Sequence, residues 1–413
     1  MRFRLMYLFS FILSAVAMWF FRNDAVAMGI VRGLSGVLIN LGVVLSLCFI
    51  AMTVLGSGAS LRRTRKYGIT IAKSMLWTLV AGIAVLVLSF IAGETFITHS
   101  DFSMPMKTAS LVELSPLADA AGGAGFLKAA IGMPQLVYFG VLFSFVLFML
   151  FSYYLNPDLR VIQPAYALAN SINEVGFRFF YTVCNVYIVF LFVIFGAFFS
   201  RILDHSSEIM MVISSSTGLL VKMGVFYGVI CLVVFPILFM LFTKFKQNPL
   251  PVVWSALITS LVSVFSGNLL FSVPVMEEIH RHQNNSLKRT TVVAGDIMYL
   301  FSRACSASLS YLAIVSLIRA SAPESLSAFA QLMLLGLCFG FSLLSGAFPG
   351  MEYLFIVAAI KFVMPELISD HVMTFSAAYV PMLSIFGLFA DTFAINFGTK
   401  ACDIPIVKSS ENS

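Results

Sequence analysis

Charged residues are scarce in this chain, and that scarcity excludes an ordinary soluble domain. Asp, Glu, Lys and Arg make up 11% of the 413 residues, whereas hydrophobic residues make up 60%. Soluble globular domains contain roughly 25% charged residues. The longest polar-leaning gap, residues 95–128, is too short for a soluble domain of useful size. Since a helix needs about 20 apolar residues to cross a bilayer, we predict an all-α polytopic membrane protein.

Patterns that would indicate an enzyme or a metal site are also lacking. The six cysteines lie singly in apolar sequence without a C-x-x-C pair, which argues against a disulfide framework or a zinc site. The glycine-rich run at residues 121–125 lacks the G-K-[ST] ending of a phosphate-binding loop. The five histidines lie in predicted loops or helix ends, apart from any catalytic cluster. We therefore predict that the protein is not an enzyme, holds no metal site and binds no nucleic acid.

Basic residues at the ends of the apolar segments predict how the chain is threaded through the membrane. Cytoplasmic loops are enriched in Lys and Arg, and the strongest cluster is RRTRK at residues 62–66. With this cluster inside, we predict eight transmembrane helices and cytoplasmic termini. The predicted spans are residues 1–21, 34–55, 69–91, 134–155, 179–199, 219–242, 292–317 and 380–401. We interpret the Ser/Thr run at residues 214–217 as an exterior turn before the sixth span.

The first span has an alternative interpretation. It also fits a signal peptide with a cleavage site at residues 25–27. We favour a transmembrane helix because another short apolar stretch follows it and no secreted domain does.

Two further apolar segments, residues 252–279 and 326–363, are each interrupted at mid-length by a small polar cluster. The first contains Ser-Gly-Asn at residues 266–268, and the second contains Ser-Gly-Ala-Phe-Pro-Gly at residues 345–350. Non-helical backbone survives at membrane depth only where it is packed in protein or lines a wet cavity. A pair of such segments in corresponding positions is the best sequence indication of a secondary transporter's binding site.

The flanking charges predict that both segments are re-entrant hairpins. The first segment has basic residues at both ends, which places both ends in the cytoplasm: Lys244, Lys246, Arg281, Lys288 and Arg289. The second segment then has both ends outside. Two opposed hairpins, each followed by a span, predict an inverted repeat.

From about residue 170 to residue 408, the order and spacing of these parts resemble the dicarboxylate/amino acid:cation symporter family, which has the glutamate-transporter fold. The clusters at residues 266–268 and 345–350 are similar to the family's serine-rich and T-A-G-V-P-G hairpin tips. The family's last helix carries D-x-x-R-T-x-x-N-x-x-x-D followed by A-I-V. Here residues 389–400 read F-x-x-T-F-x-x-N-x-x-x-K, and residues 405–407 read P-I-V. The family's N-M-D-G-T motif corresponds to Y-L-F-S-R at residues 299–303.

The resemblance implies a substrate held between the hairpin tips and the polar face of the last helix. Half-helix N-termini and backbone amides there would point positive dipole ends at an anionic group. The second hairpin would be the outer gate, with hinges at Gly346 and Gly350. Asp391 would be a partner for an amine. The implied substrate contacts are Ser266, Gly267, Asn268, Ser345, Gly346, Asp391, Thr392 and Asn396.

The family's sodium ligands are largely replaced in this chain. Sodium needs hard oxygen ligands, but Tyr299, Phe301 and Lys400 stand where the family has an Asn and two Asp residues. Asn396 is retained. The family's arginine for a substrate carboxylate is Thr392 here, which loses a bidentate partner.

We hypothesise that Arg303 and Lys400 act as fixed cations in the former cation site. Charged residues at membrane depth are costly and mark functional sites or internal pairs. Their candidate counter-ions are Asp296, Asp391 and Asp403. Transport would then be uncoupled, proton-coupled or driven by an anionic substrate. The alternative is that Lys400 extends to the cytoplasmic interface and Arg303 forms an ordinary salt bridge.

The sequence thus predicts a secondary transporter of the plasma (inner) membrane that carries an amino acid or organic acid by alternating access. Na+ or H+ is the candidate coupling ion, with no other cofactor, and the resemblance implies a homotrimer. The alternative is a diverged uncoupled carrier, channel or non-transporting sensor of the same fold. The predicted divisions are residues 1–170 (four helices, scaffold plus part of the transport unit), 171–248 (helices five and six), 249–408 (transport core) and 409–413 (cytoplasmic tail).

Overall fold

The computed structural model describes residues 2–22, 24–63, 66–95, 147, 162–204, 206–284, 289–321, 327–345 and 370–402. Within these residues the structure is helical and contains no strand, which confirms the predicted all-α class. Several predicted features lie outside the described residues. They are residues 96–128, almost all of the span at 134–155, the second hairpin beyond Ser345 with Gly346 and Gly350, Asp403, and the tail.

The described residues form twelve α-helices. They are α1 (Arg2–Phe20), α2 (Ala25–Arg63), α3 (Tyr67–Thr95), α4 (Gln163–Asp204), α5 (Ser206–Val229), α6 (Phe235–Phe242), α7 (Leu250–Ser266), α8 (Val273–Asn284), α9 (Arg289–Phe301), α10 (Ala304–Ser321), α11 (Ala328–Ser345) and α12 (Asp370–Ala401). A π-helical turn (Ile230–Val234) joins α5 to α6, and a 3-10 turn (Leu270–Ser272) precedes α8.

The long helices turn apolar faces outward and small or polar faces inward. On α3, Ile69, Leu79 and Ile83 are more than half exposed, whereas Ser74 and Ser89 are fully buried. A surface helix of a soluble protein shows the opposite arrangement, because water favours its polar face. The outer faces of this bundle are therefore suited to lipid.

Four segments within the described residues are long and apolar enough to cross a membrane. They are Val26–Gly58, Tyr67–Thr95, Thr217–Phe242 and Arg289–Arg319. These segments overlap four of the predicted spans and indicate a membrane protein. The full number of eight spans and the re-entrant course of the two hairpins stay predictions.

The segment Arg289–Arg319 lies at the centre of the bundle. In its apolar window 94% of the residues are buried, against 33% in Tyr67–Thr95. Its first half, α9, packs against α2, α3 and α12, and its second half, α10, packs against α3, α11 and α12. A span that is surrounded by protein on all sides can carry polar groups that lipid would not tolerate.

This central segment is not one continuous helix, as the prediction for residues 292–317 had assumed. It is interrupted at Ser302 and Arg303, between α9 and α10. The backbone groups of the interruption find partners nevertheless. The Ser302 N–H donates to the carbonyl of Met298 at 2.8 Å, and the Arg303 carbonyl accepts from the Ser342 hydroxyl at 3.0 Å.

The Ser/Thr run at residues 214–217 is helical, so its interpretation as an exterior turn was wrong. It lies inside α5. The Thr217 hydroxyl donates to the Ile213 carbonyl at 2.5 Å, one turn earlier on the same helix. Hydroxyl side chains can thus be satisfied by their own helix, and a run of them does not require a turn.

Candidate functional site

The turn between α7 and α8 is built around Gly267. This residue has φ +64° and ψ 17°, a left-handed conformation that costs other L-residues about 1–2 kcal/mol. The Asn268 N–H donates to the Ser263 carbonyl at 3.2 Å, as in a Schellman motif at a helix C-terminus. The Asn268 Oδ1 accepts from the Leu270 N–H at 2.9 Å. Irregular backbone is thereby satisfied inside the protein.

Hydroxyl groups of α7 join this helix to α12. The Thr392 hydroxyl lies 3.0 Å from the Ser263 Oγ, and the Ser260 hydroxyl donates to the Phe389 carbonyl at 3.1 Å. Both serines are fully buried, and small side chains let two helices approach closely. The helix that ends at Gly267 is therefore held against the predicted substrate contact Thr392.

Asp391 holds the N-terminus of α10. Its Oδ1 accepts from the Cys305 N–H at 2.9 Å. Its Oδ2 accepts from the Ser306 N–H at 3.2 Å and from the Ser306 hydroxyl at 2.5 Å. A carboxylate at a helix N-terminus satisfies orphan N–H groups and complements the helix dipole. Asp391, the predicted partner for a solute amine, therefore already accepts three hydrogen bonds from α10.

Arg303 lies fully inside the bundle, at the interruption of the central span. Its Nη2 donates to the Tyr299 carbonyl at 3.3 Å, and its guanidinium interacts electrostatically with Asp391. Its Nε is buried and has no acceptor among the described residues. The hypothesis of a fixed internal cation is consistent with this position, and Asp391 is one of the counter-ions named for it.

Tyr299 connects the central span to the turn that precedes α8. Its hydroxyl lies 3.0 Å from the Ser272 hydroxyl. The neighbouring Phe271 stacks on Tyr187 of α4 with ring centroids 4.7 Å apart. Contacts from Ser272 to Tyr299, Arg303 and Asp391 thus link this turn, the interruption of the central span and α12. We name the set the central polar cluster, and it comprises Ser263, Ser272, Tyr299, Arg303, Ser306, Asp391, Thr392 and Asn396.

The remaining predicted site residues differ in their placement. Asn396 is fully buried, and its Nδ2 donates to the Thr392 carbonyl at 2.9 Å. Its Oδ1 has no partner among the described residues. Lys400 is partly buried and Phe301 is partly exposed. Ser345 is the last residue of α11.

Sequence analysis missed Glu277 and named Asp296 only as a counter-ion. Both carboxyl groups are fully buried, and they interact electrostatically with each other. Neither oxygen of Glu277 has a hydrogen-bond partner among the described residues, and the same holds for the Oδ1 of Asp296. The signal that could have found this pair is the presence of acidic residues within apolar segments.

The chain matches no protein-family model and no curated protein. Among the described residues, no three or more His, Cys, Asp or Glu side chains are grouped as metal ligands would be.

Proposed function

We propose that this protein is a secondary active transporter of a small solute, with the architecture of the glutamate-transporter fold. The observation that carries the proposal is the central polar cluster. There, the turn at Gly267 and the interruption at Arg303 are two stretches of non-helical backbone inside a helical bundle. The helices beside these stretches contact α12, α7 through Ser263–Thr392 and α10 through Ser306–Asp391. Discontinuous helices that meet at mid-membrane are the usual construction of a transporter's solute site.

In this proposal the protein has eight transmembrane helices and two opposed re-entrant hairpins, of which α7 and α8 form the first. The termini are cytoplasmic, the protein lies in the plasma membrane, and it assembles as a homotrimer. The hairpin that starts with α11 acts as the outer gate. Support comes from the apolar outer faces and from the order of the parts, which resembles the symporter family.

The charges of the cluster favour an amino acid or a related organic acid as solute. Arg303 supplies a positive charge, and its Nε has no acceptor among the described residues. The carboxylate of an amino acid or organic acid is a group that this guanidinium could bind. The Oδ1 of Asn396, which has no partner among the described residues, is an acceptor available for a solute N–H or O–H.

The test is uptake into liposomes that contain the purified protein. Solutes are first selected by thermal-shift screening of amino acids and organic acids, because a ligand that binds the native state raises its melting temperature. A labelled solute should then accumulate inside above its external concentration. The variant Asn396→Ala should keep a melting temperature near that of the parent but lose most of the solute-induced shift and raise the KM.

Two results would contradict the proposal. Equilibration of the solute without accumulation under every ion gradient would indicate an uncoupled carrier or a channel. Binding without any flux would indicate a sensor. An Asn396→Ala variant with an unchanged solute-induced shift would remove this residue from the site.

A further inference from the structure

Glu277 on α8 is a carboxyl group that makes no hydrogen bond with the described residues. It is fully buried, and both of its oxygens are unpartnered there. Its Oε1 lies near Gly295 of α9 and Thr399 of α12: a β-carbon placed on Gly295 would be 3.4 Å from Oε1 and 3.5 Å from the Thr399 hydroxyl. The same β-carbon would be 2.8 Å from the methyl group of Met276. Burial of an ionised carboxylate without donors is very costly.

The hydrogen bonds of Thr53 on α2 bear on the protonation of the neighbouring Asp296. The Thr53 Oγ1 lies 2.6 Å from Asp296 Oδ2, 2.9 Å from the Phe49 carbonyl and 3.0 Å from the Ile50 carbonyl. A hydroxyl has one hydrogen to donate and two lone pairs to accept with. When Asp296 is ionised, the Thr53 hydroxyl donates to its Oδ2. When Asp296 carries a proton on Oδ2, the direction reverses and Thr53 donates to a carbonyl of its own helix. The contact therefore accommodates both protonation states of Asp296.

The charged and titratable groups around the pair come from several helices. Tyr299 on α9 interacts electrostatically with both carboxyl groups and with Arg303. On α8, Glu278 and His280 follow Glu277 within one turn, and on α12, Lys400 follows Thr399. Among the described residues, the pair is not part of a group of three or more His, Cys, Asp or Glu side chains that could hold a metal ion, whereas a proton needs only one oxygen to bind.

We propose that Glu277 and Asp296 form a proton-binding site that couples solute movement to proton movement. Proton binding forms one O–H bond on a carboxylate, and release returns the proton to water. Glu277 lies on α8, within the first predicted hairpin, so opening of that hairpin would expose it to water and let it ionise. The coupling role rests on the proposed transport function. The proton-binding site itself does not.

The first experiment measures proton binding without transport. The melting temperature of the purified protein in detergent is followed from about pH 6 to about pH 9. A proton that is held in the native state and released on unfolding makes stability fall as pH rises. The variants Glu277→Gln and Asp296→Asn mimic the protonated groups, because an amide can donate where the acid does. Each should fold and flatten the pH dependence. The control Glu174→Gln changes a side chain that is 68% exposed and should leave the pH dependence as in the parent.

The second experiment measures coupling in liposomes. An inward proton gradient should stimulate parental uptake, whereas Glu277→Gln should lose this stimulation but still exchange labelled for unlabelled solute. The inference would be overturned if Glu277→Gln and Asp296→Asn both retained the parental pH dependence of stability. Parental uptake that responds to a sodium gradient and not to a proton gradient would also overturn it, but the protein would still be a transporter. A pH-dependent stability that the variants flatten, without uptake of any solute, would support the proton site and contradict the transporter proposal.

Discussion

The carboxylate of Asp391 lies 2.5 Å from the hydroxyl of Ser306, and through this contact α12 holds the start of α10. The two residues are 85 positions apart in the chain. The same carboxylate accepts from the backbone N–H groups of Cys305 and Ser306. A central helix that begins in mid-bundle thus takes its N-cap from another helix.

Asp391→Asn should lower stability by about 2 kcal/mol, because an amide has one acceptor oxygen and no charge for three donors. The measurement is thermal or denaturant unfolding in detergent. Asp24→Asn is the matched control. Asp24 caps α2 by accepting from the Val26 and Ala27 N–H groups at the exposed end of the helix, and Asn is an equally good cap there. Equal losses in both variants would contradict a special role for the buried cap.

Gly267→Ala should lower stability by about 1 kcal/mol, through backbone strain alone. Its φ is positive, yet a β-carbon there would meet no described atom within 4 Å. Gly267→Asn should lose less, since Asn tolerates this conformation better. The control is Gly340→Ala, at a helical glycine where a β-carbon also meets no described atom within 4 Å. This variant should raise stability by about 0.5–1 kcal/mol, because alanine favours the helix over glycine. Unfolding measurements in which Gly267→Ala and Gly340→Ala change stability in the same direction would contradict the positive φ at Gly267.

Ser263→Ala and Thr392→Val should be energetically coupled. A double-mutant cycle of unfolding free energies should give an interaction of about 1 kcal/mol, because the two hydroxyls are 3.0 Å apart. Thr78→Val serves as the partner in a control cycle with Ser263→Ala, since the Thr78 hydroxyl donates within its own helix, to Ser74. A zero coupling for Ser263 and Thr392 would contradict a hydrogen bond between the two hydroxyls.

Gly398→Ala should destabilise the bundle by about 1–3 kcal/mol through overpacking. A β-carbon at this position would overlap the Cδ1 of Trp77, whose Nε1 donates to the Ala394 carbonyl at 3.0 Å. The indole cannot move away without breaking that hydrogen bond. Gly228→Ala, where nothing lies within 4 Å, should have no such cost. The measurement compares the unfolding midpoints of Gly398→Ala and Gly228→Ala. A Gly398→Ala variant as stable as the parent would contradict the packing of Trp77 against Gly398.

Local chemistry made part of this structure predictable. The apolar segments and their basic flanks indicated membrane helices, and the Ser-Gly-Asn cluster at 266–268 indicated a turn because glycine tolerates positive φ. The turn predicted at the Ser/Thr run 214–217 was wrong, because hydroxyl groups that donate to carbonyls of their own helix cannot be recognised from the sequence. Small polar residues therefore gave a correct prediction of a turn at residues 266–268 and a wrong one at residues 214–217.

Long-range contacts made the rest unpredictable. The interruption at Ser302 and Arg303 contains neither Gly nor Pro, and its partners Ser342 and Asp391 come from distant helices. Likewise, Glu277 makes no hydrogen bond with the described residues, a property that depends on how Gly295 of α9 and Thr399 of α12 pack beside it. The hairpin tip beyond Ser345 lies outside the described residues, so its predicted role is unchanged.

Solute accumulation in liposomes by the parent protein and by Thr392→Val tests most directly whether the protein is a secondary active transporter. The parent should concentrate its solute above the external level, and Thr392→Val, which lacks the predicted substrate contact and the hydroxyl beside Ser263, should do so with a raised KM. Solute that never exceeds the external concentration under any sodium or proton gradient would show that the protein is not a secondary active transporter.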